Sequence, residues 1–406
     1  MNLQKLFAER IGGEKFGQSN EIYKFEKIKR AKAAARAARP DVEMLDFGVG
    51  EPDRMAPQAI RDALKREADV PANRGYADNG VLVFKQAAAQ YMKEFFGVTD
   101  LDPVTEINHS IGSKPALAML PLAFINPGDI AFQTVPGYPV MATHVKYLGG
   151  KVVDLPLRKE NGFYPDLDAI DPAVADKAKL IYVNYPNNPT GAAPTPEFFD
   201  KLIAFAQKHN ILVIQDAAYA TLIYGQRLSI FNRPGGKEVA LELHSMSKSY
   251  NMTGWRLGFV AGSARAVQAF AEVKDNIDSG QFIAIQKAAC AGIANKQLSE
   301  EIREHYRLRL EKMVKVLREI GFDAKMPGGT FYLYLSAPKG AGDLVFKNAE
   351  DASQYLIREH SISTVPWDNV GPFLRFSATF ESAGDDDDDR VIAELKKRLQ
   401  SANLKF

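Results

Sequence analysis

The sequence is poor in the features that would mark several whole classes of protein. It has a single cysteine, Cys290, so no internal disulfide can form and a disulfide-stapled secreted scaffold is excluded. Its six histidines are scattered, with no His-x-x-x-His pair and no paired cysteines, so no metal centre is expected. Apolar runs such as Ile211 to Ile214 fall far short of the roughly 20 residues that a bilayer-spanning helix needs. Charge of one sign is not in excess: 51 Lys and Arg against 50 Asp and Glu leave a formal charge of +1. Net charge therefore points to neither nucleic acid nor an acidic membrane as partner. No secretory leader is recognisable at the start, and the chain is expected to work in the cytoplasm.

What is present reads as an enzyme-sized globular protein. Apolar residues at 46% and charged residues at 25% are globular averages. A length of 406 residues exceeds what one core usually serves, so two domains are expected. Met1 to Ser19 has no sustained periodicity and reads as an arm. Glu21 to Arg39, rich in helix formers and closed by Pro40, reads as a helix with a basic, solvated face. From Met44 onward, apolar runs (Leu180 to Asn184, Ile211 to Asp216, Val239 to His244) alternate with helical stretches such as Pro196 to His209. That alternation predicts an α/β fold with a mostly parallel sheet. The long helix Glu300 to Ile320, followed by strands Thr330 to Leu335 and Phe373 to Ser377, predicts a smaller α+β domain. The expected division is an arm with first helix over 1–45, a large domain over 46–290 and a small domain over 291–406. Asp385 to Asp389 is expected to precede a helix, Arg390 to Gln400, where carboxylates suit the positive end of the helix dipole.

The chemistry concentrates in Ser245-Met-Ser-Lys-Ser-Tyr-Asn-Met-Thr-Gly-Trp-Arg-Leu-Gly258, which follows a strand. A lysine condenses with a carbonyl when its amine is desolvated and near other cations. Here Lys248 is flanked by Ser245 and Ser247, with Arg256 eight positions on, donors that suit a phosphate dianion. A Ser-x-Ser-Lys string alone is common, and its lysine is ordinarily a surface residue. Asp216 ends an apolar strand, with Tyr219 three residues on; such an aspartate is ordinarily a turn former. Asn188 lies in Tyr185-Pro-Asn-Asn-Pro-Thr-Gly191, which in isolation is a turn. Ser113 and Lys114 open a helix after Gly112, a place where backbone N–H groups can receive phosphate. Tyr138 follows Val135-Pro-Gly137, and a buried core tyrosine is the plain reading there. Arg375 lies inside a predicted strand, where a charge is costly unless paired. Gly48-Val-Gly50 lacks the third glycine of a dinucleotide loop and is followed by Pro52, so that reading is discarded.

Taken in order, these segments resemble the fold-type I, class I/II aminotransferase family from residue 46 to residue 377. The resemblance implies pyridoxal 5'-phosphate as cofactor, with Lys248 as the lysine that holds it and then moves a proton on the substrate. It assigns the phosphate to Ser113, Lys114, Ser245, Ser247 and Arg256. The ring nitrogen would fall to Asp216, the phenolic oxygen to Asn188 and Tyr219, and the ring face to Tyr138. The substrate α-carboxylate would fall to Arg375 and Gly50, and Asn188 would also contact the substrate. Tyr76, in Arg74-Gly-Tyr-Ala-Asp-Asn-Gly80, resembles a tyrosine that reaches the partner subunit's phosphate, which implies a homodimer with shared sites. The reaction implied is exchange of an amine between an amino acid and a 2-oxo acid.

Glu21-Ile-Tyr-Lys-Phe25, Gly112-Ser-Lys114, Asp216-Ala-Ala-Tyr-Ala220 and Thr364-Val-Pro-Trp367 are further similar to the branch of LL-diaminopimelate aminotransferases. These interconvert LL-2,6-diaminopimelate and 2-oxoglutarate with tetrahydrodipicolinate and glutamate, on the route to lysine and peptidoglycan. The resemblance places Tyr23 and Lys114 at the distal carboxylate and Asp78 or Asn79 at the distal amine. Aspartate, alanine or aromatic aminotransferases use the same machinery with another pocket. A β-lyase or decarboxylase shares the parts, and a regulatory or binding protein on the same fold is the reading from another class.

Overall fold

The apolar runs that predict strands are strands, with ends that differ from the runs by at most two residues. The structure, a computed structural model, describes residues 1–18 and 24–406, with Asp385 described by its backbone alone. Three short 3-10 turns lie between Leu3 and Lys15, and helix α1 spans Lys24–Ala38.

The main sheet has seven strands: β1 (Ile107–Ser110), β2 (Ile130–Val135), β3 (Lys151–Pro156), β4 (Ala178–Asn184), β5 (Leu212–Asp216), β6 (Ala240–Ser245) and β7 (Gly258–Gly262). Their spatial order is β1-β7-β6-β5-β4-β2-β3. Every neighbouring pair is parallel except the two that β7 makes with β6 and β1. This is the mostly parallel α/β fold that the alternation predicts. Strands β4, β5 and β6 are buried at nearly every position. Helices cover both faces, which is why these strands read as continuous apolar runs. Helix α2 (Ser113–Phe124) packs Leu117 and Leu120 with Leu180, Ile214 and Leu241 on one face. Helix α3 (Pro196–His209) packs Phe199 and Leu202 with Ile181 and Val213 on the other. Local chemistry sets the bounds of α3. Thr195 Oγ1 accepts from the Phe198 N–H at 3.2 Å, Pro196 occupies a position needing no donor, and Asn210 ends the helix at φ 52°.

A second sheet holds β8 (Tyr332–Ser336), β9 (Val365–Trp367) and β10 (Phe373–Ser377), antiparallel in the order β9-β10-β8. Around it lie α4 (Lys296–Ile320), α5 (Ala349–His360) and α6 (Asp385–Ser401), with Tyr306, Leu310, Leu317, Leu356 and Leu395 in the shared core. Leu45–Asp46 pairs with Ile362–Ser363, and Leu45 and Phe47 belong to this second core. Helix α1 lays Ile28, Ala31 and Ala35 against Ile357 and Val365. On its basic face, Lys27 pairs with Glu350 at 2.8 Å, Arg30 with Glu26 at 3.0 Å and Lys32 with Asp46 at 2.6 Å.

The aspartate run departs from its expectation. It forms the first turns of α6, which begins at Asp385 rather than at Arg390. Dipole stabilisation does not account for Asp388, which is buried and takes a two-pronged contact from Arg309, Nε to Oδ2 at 2.8 Å and Nη2 to Oδ1 at 2.7 Å. Arg309, 1% exposed on α4, also donates to the carbonyls of Ala378 and Phe380 and lies 3.1 Å from Asp53. Burial works to raise both carboxyls, yet both are held below the usual range. The nearby His305 imidazole and the Arg309 charge outweigh it at Asp53, and Arg309 and Ser382 do so at Asp388. This cluster ties the Phe47-to-Asp53 segment to α4 and α6.

Arg309→Met should destabilise the fold by about 3–5 kcal/mol in urea unfolding, because it leaves two buried carboxylates unpaired. The depressed carboxyls contribute stability above their unfolded value, and that stability is lost as pH falls through the acid range. The variant should lose less stability than the parent between neutral pH and pH about 3.

Candidate active site

Strands β1, β2, β4, β5 and β6 run the same way, so their carboxyl ends share one edge of the sheet. The reversed strand β7 begins at that edge. Ligands in such sheets bind outside the carboxyl ends. A cavity of about 830 Å³ opens there, lined by Gly50, Ser113, Lys114, Tyr138, Asn188, Asp216, Tyr219, Ser245, Ser247, Lys248, Arg256 and Arg375. Arg375 reaches it from β10 of the second sheet, so the cavity lies between the two sheets. Tyr76 stays outside the lining and is 86% exposed. Tyr23 lies outside the described residues. Asp78 and Asn79 do not line the cavity, and the Asn79 amide is engaged by Asp275 and Asn108.

One end of the cavity is built for an anion. Gly112, at φ +80°, leads into α2, and a Cβ there would come within 2.6 Å of Arg256 Nη2. The guanidinium thus lies against the first turn of α2, where backbone N–H groups are unpaired by the helix itself. Arg256 adopts the left-handed region at φ 58°, uncommon for a residue with a Cβ. Its Nη1 donates to the Thr253 carbonyl at 2.8 Å, which anchors the side chain. Ser247 Oγ, in the lining of the same cavity, is buried with no partner among the described residues. An unpartnered hydroxyl, a guanidinium and a helix start fit a phosphate group.

At the other end, Arg375 is 3% exposed. Its Nη1 donates to Asn188 Oδ1 at 3.0 Å, its Nη2 to the Gly48 carbonyl at 2.9 Å, and its plane covers the Tyr332 ring at 4.2 Å. A Cβ on Gly50 would lie 3.0 Å from the Tyr332 hydroxyl and 3.5 Å from Arg375 Nη2. Glycine therefore leaves the approach to the fork open. Because Asn188 Oδ1 accepts from Arg375, its amide N–H groups remain to donate into the cavity.

Comparison with known proteins decides the family. The profile of aminotransferase class I and II matches residues 42–393. The chain belongs to the class I and II aminotransferases. The LL-diaminopimelate aminotransferase of Methanococcus maripaludis is 54% identical to it, covering 100% of this chain and 99% of that one. The protein of the same name from Methanocaldococcus jannaschii is 52% identical over 100% and 99%. Among solved structures, substrate-bound BacF of Bacillus subtilis superposes with a TM-score of 0.87 at 30% identity, covering 98% of each chain. A probable N-succinyldiaminopimelate aminotransferase of Thermus thermophilus gives 0.83 at 29% identity, covering 94% of this chain and 100% of that one. Family membership makes the protein an enzyme and implies pyridoxal phosphate as its cofactor.

The electrostatics of this aminotransferase centre on Lys248. Burial pulls its amine down to about 8, the neighbouring Arg256 and Arg375 add to the shift, and Glu51 and Asp216 oppose it. Its Nζ donates to the Gly50 carbonyl at 3.2 Å. Burial pushes the Asp216 carboxyl up to about 6, against the Tyr182 hydroxyl, the Ala218 N–H and the charges of His244 and Lys248. It is thus mainly ionised at neutral pH.

Three supporting residues escape the motif reading. Tyr182 donates to Asp216 Oδ2 at 3.2 Å, and its only signal is a hydroxyl in the middle of an apolar strand. Asn184, opposite Asp216 in the sheet, donates to the Asp216 carbonyl at 2.7 Å and accepts from the Asn188 N–H at 2.9 Å. It braces the turn that carries Asn188. Tyr332 bridges the Tyr219 hydroxyl at 3.1 Å and the Gly50 carbonyl at 3.3 Å, and nothing in its local sequence announces that.

In cofactor-free protein, trapping of Lys248 by a small aldehyde with a hydride reductant should rise with a midpoint near pH 8, where the amine loses its proton. Arg256→Met removes a cation that depresses the amine, so the midpoint should move upward. A midpoint unmoved by Arg256→Met would contradict the electrostatics described.

Proposed function

We propose that this enzyme is an LL-diaminopimelate aminotransferase. It would exchange an amine between LL-2,6-diaminopimelate and 2-oxoglutarate to give glutamate and an amino-oxo acid that closes, with loss of water, to tetrahydrodipicolinate. The observation that carries this reading is end-to-end identity above one half with two proteins of that name. The site supports it, because a buried arginine fork and further cationic lining suit substrates with carboxylates at both ends.

Pyridoxal phosphate, when bound, supplies an aldehyde that condenses with amines and a ring that draws electrons from the adjacent carbon. In the proposed arrangement Ser245, Ser247, Arg256 and the start of α2 at Ser113 and Lys114 hold the phosphate. The Asp216 carboxylate, which Tyr182 holds in place, would pair with the ring nitrogen and keep it protonated. Asn188 and Tyr219 would hold the phenolic oxygen, and Tyr138 would cover the ring. Lys248 Nζ takes a proton from the substrate α-carbon, a role suited to an amine already brought near physiological pH. Arg375 turns its fork from Asn188 and Gly48 to the substrate α-carboxylate, fixing which α-carbon bond faces Lys248. We further propose a homodimer in which Tyr76 serves the partner's phosphate, since its phenol is exposed on a single chain.

The deciding assay pairs LL-diaminopimelate as donor with 2-oxoglutarate, beside aspartate, alanine and phenylalanine as donors and a Lys248→Ala blank. A strong preference for LL-diaminopimelate, absent in the blank, is the expected outcome. Activity confined to the other donors would refute the substrate while leaving the family intact. For the assembly, sedimentation should give a dimer, and Tyr76→Phe should weaken retention of pyridoxal phosphate several-fold. A monomer whose cofactor affinity ignores the substitution would sink the shared-site reading.

A further inference from the structure

Several cations of the cavity wall, Lys24 among them, have no part in the roles proposed so far. Lys24, the first residue of α1, lines the cavity together with Trp367 and Asn369. Its ammonium lies 3.7 Å from the centroid of a Trp367 ring. Lys27 and Lys32 on the same helix each hold a carboxylate, Glu350 and Asp46. Among the described residues Lys24 makes no such ion pair. The Trp367 indole N–H beside it is buried and has no acceptor among the described residues.

Packing alone explains this poorly. A cation stacked on indole can anchor a helix from any surface. Here it is half-buried and shares a cavity with a second cation. Burial pulls the Lys24 amine down to about 8, and the Arg375 guanidinium pulls the same way, while Asp368 and Glu350 resist. Two cations that disfavour each other across one cavity are relieved by an anion that reaches both. A ligand carrying a carboxylate at each end does so, and a monocarboxylate does not.

We infer that Lys24 is a specificity residue that binds the remote carboxylate of dicarboxylic amino and 2-oxo acid substrates, while Arg375 holds the α-carboxylate. This rests on the transamination reading of the site, though not on diaminopimelate being the substrate. Methionine at position 24 keeps the stem that lies on Trp367 and removes the charge; arginine keeps the charge.

The test uses the cofactor-loaded enzyme and follows the first half-reaction by absorbance with glutamate, LL-diaminopimelate and alanine in turn. Lys24→Met should lower kcat/KM for glutamate about tenfold or more, the size expected for one lost charge-assisted hydrogen bond. The loss should fall on KM with kcat little changed. Alanine, which has no remote carboxylate, should be unaffected, and Lys24→Arg should recover most of the glutamate activity. An equal loss on alanine would make Lys24 a merely structural anchor, and no loss on glutamate would remove it from the binding site; either result overturns the inference. If the parent enzyme does not accept LL-diaminopimelate, the proposed substrate fails while the glutamate-to-alanine ratio still decides the role of Lys24.

Discussion

Two guanidinium groups and a buried lysine converge on one cavity at the carboxyl edge of the main sheet. Arg256 comes from the loop before β7, Arg375 from β10, and both depress the amine of Lys248. The carboxylate of Asp216 opposes them from inside the cavity, itself pushed toward neutrality by burial. So much positive charge in a low-dielectric space is costly without anions. The arrangement makes sense for a site that works loaded with a phosphate and a carboxylate. Burial first, and the neighbouring guanidinium groups after it, deliver a lysine that can be neutral near physiological pH. Charge complementarity to the ligands and the reactivity of Lys248 therefore arise from a single constraint.

That constraint has to be met by two separately cored parts of the chain. The main sheet supplies Lys248, Asp216 and Asn188; the second sheet supplies Arg375 and Tyr332. The segment from Phe47 to Asp53 runs between them. It starts in the second core, passes Gly48 and Gly50 under Arg375 and Lys248, and ends at Asp53 against Arg309. The ion cluster of Asp53, Arg309 and Asp388, remote from the chemistry, thereby sets where the Gly50 carbonyl can lie. Asn184 does comparable work on the other side, joining the strand end at Asp216 to the turn that presents Asn188.

Much of this was legible in the sequence because the signals are local. The main strands are continuous apolar runs, since a sheet covered on both faces leaves no polar alternation. Lys248 and the residues proposed to hold the phosphate lie within a few positions of one another or at a helix start, so chemistry and spacing coincide. Legibility ended where function depends on long-range contact. Tyr332 is one aromatic among several in its strand, and only the packing of two sheets brings it to Gly50. Asp388 looked like one more carboxylate at a helix start, because its partner Arg309 lies 79 residues away in sequence. Lys24 was one of several basic residues on a helix, and the difference between it and Lys27 is a neighbour, not a pattern.

The reversed strand β7 has a consequence for the chain as text. Five residues of strand carry the backbone about 17 Å, the distance between the two edges of the sheet. Had β7 run parallel to β6, the chain would have had to cross to the far edge before entering it, stranding Arg256 there. Because β7 instead starts where β6 stops, the chain turns on the spot, and Ser245, Ser247, Lys248 and Arg256 all line the cavity within one unbroken stretch. The most recognisable sentence in this sequence is short because one strand in seven runs backwards.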